Sequence, residues 1–68
     1  MKKDICKIFG KQIRMLRLSN GWSQEKLAEV TDFHRTYIGM VERGERNPSL
    51  KSIERFAKAF DVMIKELF

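Results

Sequence analysis

The polar side chains that could do chemistry together are concentrated in one segment, Ser23 to Gly44, which reads SQEKLAEVTDFHRTYIGMVERG. If its second half, from about His34 to Arg43, is a helix, steps of three and four residues return to the same side. Ile38 and Val41 then point inward. The opposite face would carry Arg35, Thr36, Gly39, Met40 and Arg43.

These residue types suit hydrogen bonding to the edges of DNA bases. The guanidinium of Arg35 can donate two parallel hydrogen bonds to O6 and N7 of guanine. Thr36 can bond a base or place its methyl group against that of thymine. Gly39 removes bulk where the helix would come closest to the groove. A helix of this kind fits the DNA major groove, which is about 12 Å wide.

Other helices are expected to position this face, because apolar residues recur at helical spacing in the sequence before and after it. The spacing predicts a first helix over about residues 3–20, ended by Asn20-Gly21. A second helix is expected from Gln24 to about Val30, with Ser23 as its N-cap. Residues 31–33 would form the tight turn into the third helix. Helix, turn and helix together have the form of a helix-turn-helix reader.

The second half of the chain is predicted to continue as helices. The polar stretch Glu45–Pro48 reads as a loop, and Ser49 is placed to cap a fourth helix over about Leu50–Phe60. A short final helix is expected over Met63–Phe68. No alternating strand pattern, repeat or low-complexity run is present in the sequence.

The same spacing predicts three features of the core. Gly10 is expected to interrupt the first helix at a cost of about 1 kcal/mol relative to alanine. Trp22 is expected to pack onto Leu27 as a hydrophobic staple. The residues expected to face inward, besides those of the third helix, are Ile5, Ile8, Phe9, Ile13, Leu16, Trp22, Leu27, Ala28, Phe33, Leu50, Ile53, Ala57 and Phe60.

Composition limits the classes of function. The 68 residues fit one domain, residues 1–68, and 14 Lys and Arg against 9 Asp and Glu give a net charge of +5. Such a charge favours an anionic partner. The N-terminus lacks the apolar core of a signal peptide, and no apolar run reaches the roughly 20 residues of a membrane span. With Cys6 as the lone cysteine, a cytoplasmic location and no membrane partner are expected.

The sequence carries no pattern of an enzyme. It has no glycine-rich phosphate loop, no paired-histidine motif, and no nucleophile with a nearby base. One histidine and one cysteine make no credible metal set. We therefore expect no catalysis, no metal, no cofactor and no small-molecule substrate.

SQEKLAEVTDFHRTYIGMVERGERNPSL resembles the helix-turn-helix of the phage-repressor (Cro and repressor) superfamily. The part HRTYIGMVERGERNPSL is most similar to the controller proteins of restriction–modification systems. The resemblance runs from Arg14 to Phe68 in motif and from residue 1 in helix layout. It implies an all-α fold, a compact five-helix lambda-repressor-like DNA-binding domain. It also implies a sequence-specific transcriptional regulator, with His34–Arg43 in the major groove of an operator.

The resemblance also implies roles for individual residues. Gln24 would bond a phosphate and brace the recognition helix, and Arg17 with Glu42 would form a structural ion pair. Met40 stands where several relatives carry a polar base reader. The complete set of candidate DNA-binding residues is Ser23, Gln24, His34, Arg35, Thr36, Tyr37, Met40, Arg43, Arg46 and Asn47.

The apolar C-terminus and the resemblance together predict a homodimer on double-stranded DNA. The candidate interface residues are Phe60, Met63, Ile64, Leu67 and Phe68. For Ile64, Leu67 and Phe68 the alternative is that they complete the core of the chain itself. A restriction–modification operon is the expected target. A phage-type repressor, an antitoxin regulator, or a protein-interaction module that binds a toxin or an anti-repressor remain alternatives.

Overall fold

The computed structural model describes residues 4–68, and within them every regular element is helical. The predicted start of the first helix at Lys3 lies outside the described residues. The elements are α1 (Ile5–Ser19), α2 (Gln24–Thr31), α3 (Arg35–Glu42), α4 (Leu50–Phe60) and a 3₁₀ turn (Ile64–Leu67).

The expected count of five helices is not confirmed, because the last segment is a single 3₁₀ turn. Its four residues are too few to repay the nucleation of an α-helix. Asp61 also stands before it in the left-handed conformation, with φ of 56°. Within residues 4–68, no helix combines the length and the hydropathy of a membrane span.

Short polar side chains set where the helices begin and end. Ser23 and Ser49 each accept a hydrogen bond from the backbone N–H three residues ahead, at 3.0 and 3.1 Å. His34 caps α3 through Nδ1, which accepts from the N–H of Thr36 at 3.1 Å. Left-handed Asp32, with φ of 60°, ends α2. The caps at the two serines are those the sequence predicts, whereas His34 was expected within the third helix and is its N-cap.

The core lies where the inner faces of all four helices meet. The buried apolar residues are Phe9, Ile13, Leu27, Ala28, Ile38, Val41, Phe56, Ala57, Phe60 and Leu67. Three residues expected inside are on the surface: Ile5, Ile8 and Leu50 are 57%, 37% and 82% exposed. The first turns of α1 and α4 extend beyond the core, so their apolar residues are left uncovered. Phe56, which was not among the residues expected to face inward, is fully buried.

Gly10 does not interrupt α1, which runs through it without a break. A Cβ atom at Gly10 would overlap the carbonyl oxygen of Val41 and lie 2.8 Å from that of Glu42. The backbones of α1 and α3 are therefore in direct contact at this point. The glycine fixes how closely the third helix sits on the first.

Aromatic stacking ties the loop ahead of α2 to α4. The half-buried ring of Trp22 stacks on Phe60, with 5.7 Å between ring centroids and 17° between planes. Trp22 therefore packs against the core with a stacking partner on α4, and the predicted staple onto Leu27 stays a prediction. The stacking contact holds the start of α2 against the domain.

Candidate nucleic-acid interface

A rigid turn joins α2 to α3. Buried Thr31 donates its hydroxyl to the carbonyl of Leu27 at 2.7 Å and accepts from the N–H of Phe33 at 3.3 Å. The ring of Phe33 is half-buried, and its centroid lies 4.8 Å from that of Tyr37 and 5.2 Å from that of Phe56. Phe33, which was expected to face inward, thus contacts both α3 and α4.

One side of the helix α3 is buried in the core and the other is exposed to solvent. Ile38 and Val41 are buried, as expected, while Arg35 and Thr36 are exposed on its first turn. Arg35 approaches Glu25, with 3.9 Å between Nη1 and Oε2. An exposed pair at that distance contributes little, so the guanidinium can turn to another partner.

The exposed face of α3 holds a shallow groove of about 220 Å³. We call it the Gln24–Arg43 groove, and it is lined by Gln24, Arg35, Thr36, Gly39 and Arg43.

Gly39 forms the floor of this groove and is not an exposed residue. It is buried in the folded chain, because the side chains of Gln24 and Arg43 cover it. A Cβ atom there would lie 3.1 Å from Nη1 of Arg43 and 3.7 Å from Oε1 of Gln24. The expectation of an outward-facing Gly39 was therefore wrong in part, since helical spacing cannot reveal what a neighbouring long side chain covers.

A nearly buried ion pair supports the groove from below. Glu42 accepts from Nε and Nη2 of Arg17 at 2.7 and 3.1 Å, and the two side chains are only 3% and 10% exposed. Nε2 of Gln24 donates to Oε1 of Glu42 at 3.1 Å, and Arg17 also donates to the carbonyl of Trp22 at 2.8 Å. One carboxylate thus links α1, α2 and α3, and its charge is fully hydrogen-bonded.

Arg43, the C-cap of α3, is held by the loop that follows. Its Nε and Nη2 donate to the two carboxylate oxygens of Glu45 at 2.9 and 3.2 Å. The hydrogen bond raises the pKa of the Arg43 guanidinium and lowers the pKa of the Glu45 carboxyl below its ordinary value. Both side chains are half or more exposed.

A second groove, of about 430 Å³, lies between the start of α3 and the start of α4. We call it the Tyr37–Ser52 groove, and its lining is Asp32, Phe33, His34, Tyr37, Arg46, Asn47, Ser49 and Ser52.

The Tyr37–Ser52 groove gathers the candidate residues of the loop. The guanidinium of Arg46 lies over the ring of Tyr37, 5.5 Å from its centroid. Ser49 and Ser52 contribute hydroxyls that were not among the candidates, although the sequence marks Ser49 as a cap. Arg55 of α4 covers the outer face of Phe33 at 4.6 Å, and no sequence pattern pointed to it.

The remaining candidates are less central. Ser23 is exposed and already accepts its capping hydrogen bond, and Met40 is half-buried. Neither lines the two grooves. No cluster of three metal-ligating side chains occurs within residues 4–68.

The C-terminal candidates divide into two groups. Phe60 and Leu67 are 8% and 0% exposed within this single chain, so they belong to its own core and offer little surface to a partner. Met63, Ile64 and Phe68 are 64%, 46% and 51% exposed. The expectation that all five face a second subunit is therefore corrected, because the 3₁₀ turn folds Leu67 back beneath α4.

The chain is similar to known proteins over nearly its whole length. A family model described as helix-turn-helix (HTH_3) matches residues 13–67. Control protein C.BamHI of Bacillus amyloliquefaciens is 50% identical over 68 residues, covering 98% of this chain and 84% of the relative.

Solved structures give the same picture. The restriction–modification controller protein C.AhdI from Aeromonas hydrophila superposes with a TM-score of 0.92 at 44% identity, covering 97% of this chain and 100% of that one. The controller protein C.Esp1396I, solved as a tetramer with its natural 35 base-pair operator, has a TM-score of 0.83 at 32% identity, with 97% of both chains covered. This chain therefore belongs to the helix-turn-helix family, among the control proteins of restriction–modification systems.

Proposed function

We propose that the protein is a dimeric, sequence-specific DNA-binding regulator that controls a restriction–modification operon. The observation that carries this proposal is the helix α3, rooted in the core by Ile38 and Val41, with Arg35 and Thr36 exposed on its first turn. A rigid helix with free hydrogen-bond donors is what major-groove reading requires. The relative C.Esp1396I, which was solved on its operator, supports the same role.

Within this proposal one groove contacts bases and the other contacts the sugar–phosphate backbone. Arg35 donates to O6 and N7 of a guanine and Thr36 contacts the neighbouring base, both from the Gln24–Arg43 groove. The Tyr37–Ser52 groove receives the sugar–phosphate backbone, where Arg46 and Asn47 supply donors. Ser23, Gln24 and His34 lie at helix N-termini, where backbone N–H groups also favour phosphate.

The proposed dimer pairs the exposed C-terminal side chains Met63, Ile64 and Phe68 with those of a second copy. Two α3 helices would then read half-sites about 34–36 Å apart on a partly palindromic operator. A domain of this size buries only about 60% of the surface of its unfolded chain, so added apolar contact also stabilises it.

The test begins with an operator selected by the wild-type protein from a pool of random duplexes. Arg35→Ala should then cost about 1–3 kcal/mol of binding and relax preference at one base pair per half-site. Arg46→Ala should weaken binding to all duplexes more evenly. Because one phosphate contact is lost, the slope of the logarithm of the binding constant against the logarithm of the salt concentration should become less steep by about one. Fluorescence anisotropy at two salt concentrations measures both effects.

Arg14→Ala provides the matched control, because it removes the same charge from exposed α1 outside both grooves. It should leave base preference intact. If Arg35→Ala kept the full preference of the wild type, base reading by α3 would be wrong. Affinity that did not fall as salt rises would instead favour a protein partner.

A further inference from the structure

We infer that Arg43 reads a guanine through the end edge of its guanidinium, and that Glu45 is the positioning residue that selects this edge. The inference rests on the proposed function and deepens it. It assigns to Glu45, an acidic loop residue, a part in sequence discrimination.

The first observation is where the Arg43 side chain lies. Although Arg43 caps the end of α3, its Nη1 atom folds back over Gly39, one turn earlier, at 3.1 Å from the position of a Cβ atom there. It shares the Gln24–Arg43 groove with Arg35 and Thr36. The guanidinium is therefore beside the residues best placed to reach base edges, and the missing side chain of Gly39 makes the space for it.

The second observation is which of its donors are occupied. A guanidinium has five N–H groups in one plane. Glu45 takes the side edge, one N–H from Nε and one from Nη2, at 2.9 and 3.2 Å. The edge formed by Nη1 and the other N–H of Nη2 is left, and its two parallel donors match O6 and N7 of guanine. A bidentate carboxylate also fixes the guanidinium plane, so one orientation is ready before DNA arrives.

The third observation concerns charge. Glu45 is 50% exposed next to the groove, so in water the pair contributes little to folding. Near DNA its negative charge repels phosphates, which lowers affinity for every duplex. Glu45 thus weakens indiscriminate binding while it orients a base-reading donor, and both effects raise the ratio of specific to non-specific affinity.

The experiment compares Glu45→Ala, Glu45→Gln and Arg43→Ala with the wild type, on duplexes selected by the wild type and on variants with each base pair changed in turn. We expect Glu45→Ala to reduce the preference for one G·C pair, measured as the ratio of affinities for the selected and the changed duplex, by about tenfold. A loss of this size is within the range of discrimination that one bidentate contact provides. It should bind an unrelated duplex more tightly than the wild type. Arg43→Ala should lose preference at the same base pair, and the double variant should lose no more. Glu45→Gln, which keeps an acceptor without the charge, should fall between.

Glu54→Ala is the matched control, because it removes the same charge from the exposed surface of α4, outside both grooves. It should tighten binding to all duplexes without changing base preference. If Glu45→Ala behaved like Glu54→Ala, or lost preference at a different base pair from Arg43→Ala, the positioning role would be overturned and the proposed function would stand. If the wild type enriched no duplex, the proposed function would fall, and base reading by Arg43 with it.

Discussion

At the scale of single residues, two carboxylates near the end of α3 hold arginines in different surroundings. Glu42 is almost buried and satisfies Arg17 and Gln24 together, so removing it would leave the buried cation of Arg17 without a counter-ion. Glu45 lies at the surface and engages only Arg43. The first contact therefore stabilises the fold, while the second holds an exposed arginine at the surface.

The pair of Arg43 and Glu45 makes a prediction about pH. Because Arg43 lowers the pKa of Glu45, Arg43→Ala should raise that pKa toward the ordinary value of a glutamate. A carboxyl with a depressed pKa adds stability above its unfolded-state pKa, and the added stability is lost as pH falls through the folded-state pKa. The side-chain carbon of Glu45, followed by NMR during an acid titration, measures the shift. An unchanged titration curve in Arg43→Ala would mean that the pair does not form in solution.

At the scale of the elements, two glycines in helix interiors have opposite surroundings. A Cβ atom on Gly10 meets backbone oxygens of α3, which cannot move without shifting the whole helix. A Cβ atom on Gly39 meets the end of the Arg43 side chain, which is 58% exposed and can shift by a few tenths of an ångström without moving any backbone. Helix propensity alone would favour alanine at both by about 1 kcal/mol.

These surroundings predict opposite signs for the same substitution. Gly10→Ala should lower the free energy of unfolding by about 1–3 kcal/mol, the typical cost of forcing extra atoms into a packed contact. Gly39→Ala, its matched control, should be neutral or more stable by up to about 1 kcal/mol. Urea unfolding followed by circular dichroism gives both values. A Gly10→Ala variant as stable as the wild type would show that α1 and α3 can move apart at no cost.

At the scale of the whole molecule, the exposed apolar side chains of the last residues are a candidate surface for a second copy of the chain. Met63 and Ile64 are open to solvent, and Phe68 covers only part of its ring against Phe9, at 5.3 Å between centroids. Exposed apolar groups that lie close together mark interaction surfaces in small domains.

Ile64→Asp should therefore convert the proposed dimer to a monomer. A charge buried without a partner at an interface costs several kcal/mol, which would raise the dimer Kd by at least about a hundredfold. Leu18→Asp, a comparable change at a 55% exposed position of α1, should remain dimeric. Sedimentation velocity at micromolar concentration separates the outcomes, with circular dichroism to confirm that both variants fold. Equal sedimentation of the two variants would contradict an interface at Ile64.

The sequence by itself determined the four α-helical segments, where α2 and α4 begin, and which side chains α3 exposes on its first turn. These properties are local, because caps and the 3.6-residue period depend on residues only a few positions apart. Only the tertiary structure decided that Phe56 rather than Leu50 enters the core, that Phe60 and Leu67 are buried within the chain itself, and that Gly10 is a contact point. Burial depends on neighbours that are distant in sequence, and one apolar pattern on a helix is compatible with more than one packing. The same holds for the contact between Arg43 and Glu45 above Gly39, which comes from the way the chain leaves α3 and not from helical spacing.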